Sequence, residues 1–225
     1  MVRLDVWLVE TRHFTSRQAA KRAIKDGYVI VNGDCSKPSY KITGKESIQI
    51  LDNYPNMPMG FHKLKAIDDS MEEDLVTPPC LALDIGSSVG GFLSYLSQKG
   101  ARVIGVEISN RFEKELKNLV ESNSLVSVVY ADAFEIEPTS LVDKDSLDIL
   151  LIDVTTDPSG TLHLISKFSP FLKKNGTLVS AFKIENKSEI VLQLLTNVEN
   201  LGYSDIRSLH LEDTRQEVHI IARRM

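Results

Sequence analysis

Two lysines and two carboxylates stand where a folded chain could bring them together. Asp153 and Lys183 each directly follow an apolar run, and Glu217 directly precedes one. Lys63 stands at the start of a helical stretch. Lysines and carboxylates that meet in one crevice can transfer a proton or stabilise a developing charge. Each alone is more simply a surface charge, so their chemistry depends on the elements that position them.

A second candidate for chemistry is the glycine-containing stretch Asp84–Gly91. It follows an apolar run and precedes an amphipathic segment, which predicts a strand, a tight loop and a helix start where backbone N–H groups face a ligand. Gly86 would let the chain pass close to that ligand, and Gly90-Gly91 would let the helix pack tightly on the strand. The spacing differs from the dinucleotide pattern Gly-x-Gly-x-x-Gly.

An acidic residue is expected to complete this ligand site. The predicted second strand, Arg102–Val106, ends in Glu107, 21 positions after Gly86. An acid at this place suits a ribose diol. S-adenosylmethionine is therefore the preferred ligand, with a nucleotide or an empty structural turn as the alternatives.

Strands and helices alternate after Pro78-Pro79, which indicates an α/β fold with a doubly wound, mostly parallel sheet. The last two strands leave no room for a helix between them, so they form a hairpin and the final strand runs antiparallel. Ligands lie outside the carboxyl ends of the parallel strands, and the antiparallel strand begins at that edge. Asp153, Lys183 and Glu217 are therefore predicted to converge there, where Lys63 could join them. The predicted strands are Cys80–Ile85, Arg102–Val106, Val126–Tyr130, Leu147–Ile152, Gly176–Phe182, Tyr203–Leu211 and Glu217–Ala222, and the predicted helices are Phe61–Met71, Gly91–Gln98, Arg111–Ser122, Ser159–Leu172 and Lys187–Asn200.

The first 52 residues are basic, although the whole chain has a net charge of −5. They contain nine lysines and arginines against six aspartates and glutamates, a balance of +3, whereas the remainder has 17 against 25, a balance of −8. A basic module on an acidic body suggests that this part contacts a polyanion.

A basic helix is the main feature of this module. It is predicted over Arg17–Lys25, with a cap at Thr15 or Ser16. The basic residues share one stripe, which either faces phosphates or is simply a solvated helix face. Asn32-Gly33 predicts a hairpin turn between two strands. The stripe consists of Arg17, Lys21 and Lys25, with Arg22 beside it.

Four segments of this module resemble the alpha-L RNA-binding domain of the S-four type. They are Arg3-Leu4-Asp5, Ser16-Arg17, Ala19–Gly27 and Val29–Gly33. The match covers nearly all of residues 2–51 and implies an RNA partner. The residues that the resemblance places against RNA phosphates are Arg3, Ser16, Arg17, Lys21, Arg22 and Lys25.

The two lysines and two carboxylates match the Lys-Asp-Lys-Glu tetrad of FtsJ-type ribose methyltransferases. The matching contexts are Gly60–Leu64, Leu147–Asp153, Phe182-Lys183 and Arg215–Ala222. With the N-terminal module, the whole chain resembles the TlyA group, often called hemolysin-A-like, whose members methylate ribosomal RNA on ribose 2′-oxygens. The resemblance implies a Rossmann-like methyltransferase fold in which Lys63, Asp153, Lys183 and Glu217 are catalytic.

The resemblance also implies which residues bind S-adenosylmethionine. Asp132 would accept a hydrogen bond from the adenine amino group. The implied cofactor-binding residues are Asp84, Gly86, Ser87, Gly90, Gly91, Glu107 and Asp132.

The chemistry of a 2′-hydroxyl fits these residue types. The hydroxyl is a poor nucleophile until a base takes its proton or a cation stabilises the forming alkoxide. Lys183 is the candidate for either role: the neighbouring Lys63 would favour its neutral amine, and the two carboxylates its ammonium form. In-line approach to the methyl group would supply much of the remaining rate enhancement.

The chain is expected to be cytoplasmic and to have no membrane partner. No apolar run approaches the ~18 residues of a membrane span, and the N-terminus does not resemble a signal peptide. Cys35 and Cys80 have no metal-ligand spacing, so no metal site is expected. The predicted organisation is an RNA-binding domain over residues 1–52, a linker over 53–60 and a methyltransferase domain over 61–225.

Two other functions remain open from the sequence. One is an RNA-binding or ribosome-assembly factor that keeps the cofactor fold without turnover. The other is a base methyltransferase, which would call for an aromatic-proline motif or a catalytic cysteine near the fourth strand; Asp153–Thr156 offers neither.

Overall fold

A computed structural model of the chain describes residues 1–14, 16–51, 57–184, 188–211 and 217–225. Several predicted features fall outside the described residues. They are the candidate cap Thr15, the last residue of the predicted RNA-binding domain (52), residues 53–56 of the predicted linker, Lys187 at a predicted helix start, and Arg215-Gln216 of the Arg215–Ala222 context. The chain divides into two compact units, Met1–Met59 and Gly60–Met225.

The N-terminal unit packs a helix pair against short strands. Ser16 begins the second helix as its cap, since its Oγ accepts a hydrogen bond from the Ala19 N–H at 3.2 Å. The predicted hairpin turn is present: Asn32 and Gly33 both have positive φ, 54° and 91°. Buried alanine, leucine and isoleucine side chains of both helices form the core with the strands. The elements are β1 (Val2–Arg3), α1 (Leu4–Glu10), α2 (Arg17–Lys25), β2 (Val29–Val31), β3 (Asp34–Cys35), β4 (Lys41–Ile42) and β5 (Ile48–Ile50).

The second unit is built on one seven-stranded sheet. Its helices are α3 (Met59–Asp69), α4 (Gly91–Gln98), α5 (Glu113–Ser122), α6 (Pro158–Phe168) and α7 (Ser188–Asn200). Its strands are β6 (Leu81–Ile85), β7 (Arg102–Glu107), β8 (Val126–Tyr130), β9 (Leu147–Ile152), β10 (Leu172–Phe182), β11 (Tyr203–Leu209) and β12 (Val218–Arg224).

The strand order is β11-β12-β10-β9-β6-β7-β8. The five strands from β10 to β8 run parallel, and β12 pairs antiparallel with both β10 and β11. The predicted fold class, a mostly parallel methyltransferase-type sheet closed by an antiparallel last strand, is confirmed.

Apolar residues cover both faces of this sheet. One cluster joins the strands to α6 and α7, and the other joins them to α3, α4 and α5. Successive residues of a strand point to opposite faces, so Leu150 belongs to one cluster and Leu151 to the other. This explains why the central strands are continuously apolar in sequence.

One predicted boundary is wrong for a clear reason. The helix expected to continue to Leu172 ends at Phe168 and is followed by a short 3-10 turn, Ser169–Phe171. Pro170 has no N–H to donate and its ring opposes a continued helix, so β10 can begin at Leu172. In the described part of the chain, no helix has the length and apolar character needed to cross a membrane.

Candidate active site

The structure brings the four charged residues into a closed ring of alternating charge. Lys63 Nζ donates to Asp153 Oδ2 at 2.7 Å and to Glu217 Oε1 at 2.6 Å. Lys183 Nζ donates to the other oxygen of each carboxylate, Asp153 Oδ1 at 2.5 Å and Glu217 Oε2 at 2.8 Å. Each ammonium therefore lies between two carboxylates, and the ring has no net charge when all four groups are ionised.

The sheet register explains three of these positions. Asp153 follows β9 and its N–H donates to the Ile85 carbonyl at 2.9 Å, which fixes it beside the end of β6. Lys183 follows β10, and Glu217 precedes β12. Because Phe182 pairs with Val218 in the antiparallel register, the residues just beyond that pair meet at the same edge.

Lys63 reaches the ring from α3, which lies outside the sheet. A Cβ added to Gly91 would lie 2.6 Å from the Phe61 backbone nitrogen and 2.8 Å from Gly60 Cα. Only a residue without a side chain lets the starts of α3 and α4 approach so closely. Lys63 is the second residue after Phe61, so this contact determines where its side chain enters the site.

The four side chains differ in exposure. Lys63 is 10% exposed, Glu217 12%, Asp153 17% and Lys183 29%. Burial alone would raise the pKa of Glu217, but the close contact with His219 and the hydrogen bonds from both lysines hold that pKa below its usual range. Burial opposes the charge of Lys63, yet the two carboxylates raise its pKa. Lys183 is the member of the ring that a substrate can approach most directly.

His219 is a neighbour of the ring that the sequence analysis does not identify. It is 1% exposed, and its Nε2 lies 2.7 Å from Glu217 Oε1. Residues two apart in a strand share a face, so the alternation from Glu217 into β12 is the signal that could have indicated it. His219 packs against the side of Glu217 that faces Lys63.

A cavity of about 420 Å³ opens beside the ring at the carboxyl ends of the strands. Asp153 belongs both to the ring and to the wall of this cavity. A Cβ on Gly86, where φ is +92°, would lie 2.5 Å from the Asp153 carbonyl oxygen, so the loop needs glycine there. The lining includes three predicted cofactor residues, Gly86, Glu107 and Asp132, together with Ser88, Ile108, Ser109, Phe112, Phe134, Val154 and Thr155.

Backbone N–H groups orient the two acidic residues of the cavity wall. Glu107 accepts hydrogen bonds from the Ser88 and Ser109 N–H groups, both at 2.7 Å. Asp132 Oδ1 accepts one from the Phe134 N–H at 2.8 Å. A carboxylate has about four acceptor sites, so both groups keep capacity for a ligand hydroxyl or amine.

Asp84 lies beneath the loop and is not part of the cavity wall. It is fully buried, and neither carboxylate oxygen has a hydrogen-bond partner among the described residues. Burial raises its pKa to about 7, and the charges of Asp153 and Glu107 act in the same direction.

Ser87, Gly90 and Gly91 also lie outside the cavity wall. The sequence predicts that the two glycines let the helix pack tightly on the strand, but their close neighbours lie in other helices. Gly91 contacts α3, and a Cβ on Gly90 would lie 2.9 Å from the Leu119 side chain in α5. The close contact between α4 and the sheet occurs at Gly105 in β7, where a Cβ would lie 3.0 Å from Leu93.

The predicted RNA-binding residues lie in the N-terminal unit and fall into three groups. Arg3 and Arg17 both donate hydrogen bonds to Asp5. Ser16 caps α2, which uses its oxygen as an acceptor. The remaining three, Lys21, Arg22 and Lys25, lie on α2 with Arg17.

Comparison with known families assigns both parts of the chain. Residues 57–221 match the FtsJ-like methyltransferase family, and residues 2–48 match the S4 domain. The chain belongs to the FtsJ-like methyltransferase family. The predicted combination of this domain with an N-terminal S4 domain is confirmed.

Individual relatives are distant. The chain is 27% identical over 146 residues to Hemolysin A of Brachyspira hyodysenteriae, covering 64% of this chain and 59% of that protein. It is 26% identical over 161 residues to Ribosomal RNA large subunit methyltransferase E of Legionella pneumophila, covering 62% of this chain and 72% of that protein. It spans only 40% of an uncharacterised protein of Methanocaldococcus jannaschii that is 27% identical over 150 residues.

The fold resembles that of a solved methyltransferase-type structure. Aeropyrum pernix fibrillarin, solved with natively bound S-adenosyl-L-methionine, has a TM-score of 0.60 at 20% identity, covering 82% of this chain and 85% of that one. At this identity the likeness concerns the fold.

Proposed function

We propose that the protein transfers the methyl group of S-adenosylmethionine to a ribose 2′-hydroxyl of structured RNA, with ribosomal RNA as the substrate. The observation that carries this proposal is the Lys-Asp-Lys-Glu ring that shares Asp153 with a cofactor-sized cavity. The names of the Legionella relative and of the matched families support the reaction and the substrate class.

The cavity residues fit S-adenosylmethionine. Glu107 would accept hydrogen bonds from the ribose hydroxyls, and Asp132 one from the adenine amine. Burial raises the pKa of Asp84 to about 7, and a cationic sulfonium bound near the loop would favour its ionised form. When bound, this cofactor supplies an electrophilic methyl group, and no metal is needed for the proposed step.

The ring residues would then activate the hydroxyl. Lys183, as the most exposed member, contacts the 2′-oxygen, and its ammonium stabilises the negative charge that develops there. Transfer would form the new C–O bond while the bond between the methyl carbon and the cofactor sulfur breaks, and Lys183 would pass one proton to Asp153 and take the proton of the hydroxyl. Lys63 and His219 hold the carboxylates in place and touch no reacting atom.

The N-terminal unit, taken as residues 1–52, would bind the RNA. The proposed phosphate contacts come from Arg3, Ser16, Arg17, Lys21, Arg22 and Lys25. Residues 53–60 then act as the linker to the methyltransferase domain, residues 61–225.

Labelled S-adenosylmethionine and ribosomal subunits provide the direct test. After incubation, the RNA is digested to nucleosides and the label is located by chromatography. Label in a 2′-O-methylnucleoside supports the proposal, and label in a base points to a base methyltransferase instead. RNA binding and cofactor binding without any transferred label would favour the assembly-factor alternative.

A further inference from the structure

A buried carboxylate joins two arginines in the N-terminal unit. Asp5 is fully buried. Arg3 donates to it from Nε at 2.9 Å and from Nη2 at 3.3 Å, and Arg17 donates from Nη2 at 3.0 Å. The arginine side chains themselves stay about half exposed, at 45% and 54%. Two solvent-facing guanidinium groups are thus held by one carboxylate beneath them.

The position of Asp5 in the first turn of α1 does not explain this arrangement. An acid near a helix N-terminus is favourable, but it can satisfy the helix while it remains exposed. A buried carboxylate is unfavourable unless cations or hydrogen bonds compensate for the lost water. Burial raises the pKa of Asp5, but the hydrogen bonds and charges of Arg3 and Arg17 bring that pKa below its usual range. The carboxylate is therefore ionised at neutral pH, and the trio carries a net charge of +1.

We propose that Asp5 is a positioning residue that holds Arg3 and Arg17 as one preformed phosphate-binding pair. The inference rests on the RNA-binding role proposed above for this unit. A guanidinium group presents five N–H donors in a rigid fork that matches phosphate oxygens. Among the described residues, Arg3 uses two of its donors and Arg17 uses one to contact Asp5. Both arginines therefore keep further donors for a phosphate ligand. Side chains ordered before binding lose less conformational entropy when the RNA arrives.

The proposal and the net charge alone predict opposite effects of neutralising Asp5 on RNA affinity. Asp5 is negative, so its neutralisation makes the unit more basic, and an unpositioned electrostatic surface would then bind RNA more tightly. If Asp5 positions the arginines, its neutralisation instead separates them and weakens binding.

The experiment measures binding of the full chain to a labelled RNA hairpin by anisotropy at several salt concentrations. Asp5→Asn should weaken binding by about tenfold, since a pair of charge-assisted hydrogen bonds loses its geometry. Glu10→Gln removes the same charge from an exposed position in α1 and serves as the matched control. The control should bind as wild type does, or roughly twofold more tightly.

A second variant covers the possibility that Asp5→Asn unfolds the unit. Arg3→Lys with Arg17→Lys keeps Asp5 and every charge, but replaces both forks by point charges. Binding should weaken by about tenfold while the salt slope stays unchanged, because the number of neutralised phosphates is the same. Trp7, the only tryptophan, packs against the core of this unit, so its fluorescence reports whether the unit is folded.

Two results would overturn the inference. One is a folded Asp5→Asn variant that binds the hairpin as tightly as wild type or more tightly, and the other is a double lysine variant with wild-type affinity. A wild-type chain that does not bind the hairpin at low salt is a different failure, because it removes the RNA-binding role itself and the inference with it.

Discussion

Lys63 and Lys183 make the same two ionic contacts but differ in what else they can touch. Lys63 is 10% exposed and Lys183 is 29% exposed. The less exposed lysine, Lys63, is suited to orienting the two carboxylates. Lys183 contacts the same two carboxylates and is the more accessible of the two lysines. At the scale of single residues, this difference in exposure is the reason for proposing Lys183 as the reacting group and Lys63 as a positioning group.

Replacement of Lys183 by alanine should abolish methylation and leave cofactor affinity nearly unchanged. Its proposed role begins only when the hydroxyl reacts, so a loss of about 10² or more in kcat is expected. Lys173→Ala is the matched control, because Lys173 also pairs with an aspartate, Asp148 at 2.7 Å, but at the start of β10. Methylation assays and calorimetry with S-adenosylmethionine measure both effects. Turnover of the Lys183 variant within a few-fold of wild type would exclude it from the mechanism.

Asp84 should make the ligand-free protein less stable as pH rises towards 8. Its folded pKa of about 7 lies above the ordinary aspartate pKa of 3.8, so the folded state holds this proton more tightly than the unfolded chain does. The resulting stability is fully present below 3.8 and is lost as pH rises through about 7. Asp84→Asn should remove this dependence and be more stable than wild type at pH 8, by on the order of 1 to 3 kcal/mol.

Denaturant titrations of wild type and Asp84→Asn at about pH 5, 6, 7 and 8 would measure the free energy of unfolding of each protein and so test this dependence. Asp143→Asn, a change at an exposed position, should follow the wild-type profile. A constant difference between Asp84→Asn and wild type across this range would contradict the buried, proton-binding carboxylate.

The contact between α3 and α4 connects packing with catalysis at the scale of elements. Gly91→Ala would force a Cβ against backbone atoms of Gly60 and Phe61, which cannot rotate away as a side chain can. The start of α3 must then move and carry Lys63 with it. We expect destabilisation of about 1 to 3 kcal/mol and a loss of methylation of roughly tenfold or more.

Gly176→Ala provides a control for stability alone. Its Cβ would be similarly crowded, at 2.7 Å from Leu172 Cδ1, but in the part of β10 distant from Lys183. It should lower the melting temperature and keep the specific activity of the folded protein. Equal activity losses for the two variants, after correction for unfolded protein, would show that the α3–α4 contact affects activity only through stability.

Sequence patterns could predict the elements better than the contacts between them. The Asn32-Gly33 turn and the apolar central strands depend on local chemistry, so they can be read from short segments. The meeting of Asp153, Lys183 and Glu217 follows from strand direction, which the alternation of elements reveals. The partner of Gly91 could not be predicted, because α3 precedes the first strand of the sheet and no local pattern specifies where it packs. The same is true of Asp5, which as an isolated acid in a helix start gives no sign that two arginines cover it.

At the scale of the whole molecule, the basic charge lies in the first 52 residues and the acidic charge in the remainder. Substitutions in the basic part should therefore change RNA binding without changing the cofactor site. Lys21→Ala with Lys25→Ala should flatten the salt dependence of RNA binding, by roughly 0.7 to 0.9 in log–log slope for each phosphate that the variant no longer neutralises. Affinity for S-adenosylmethionine should stay unchanged, since the substitutions lie in the other unit. Titration of RNA at several salt concentrations, with calorimetry of the cofactor, compares the two sites. Parallel salt lines would show that these lysines contact no phosphate.

The sheet order also constrains the order in which the strands can pair. β12 lies between β10 and β11, yet it is synthesised after both. A nascent chain that has folded as far as β11 must leave a strand-wide gap, or keep β11 detached, until β12 emerges. Glu217 directly precedes that inserted strand, so the ring cannot close before β12 pairs with β10. Closure of the four-residue ring therefore requires that β12 is already inserted between β10 and β11.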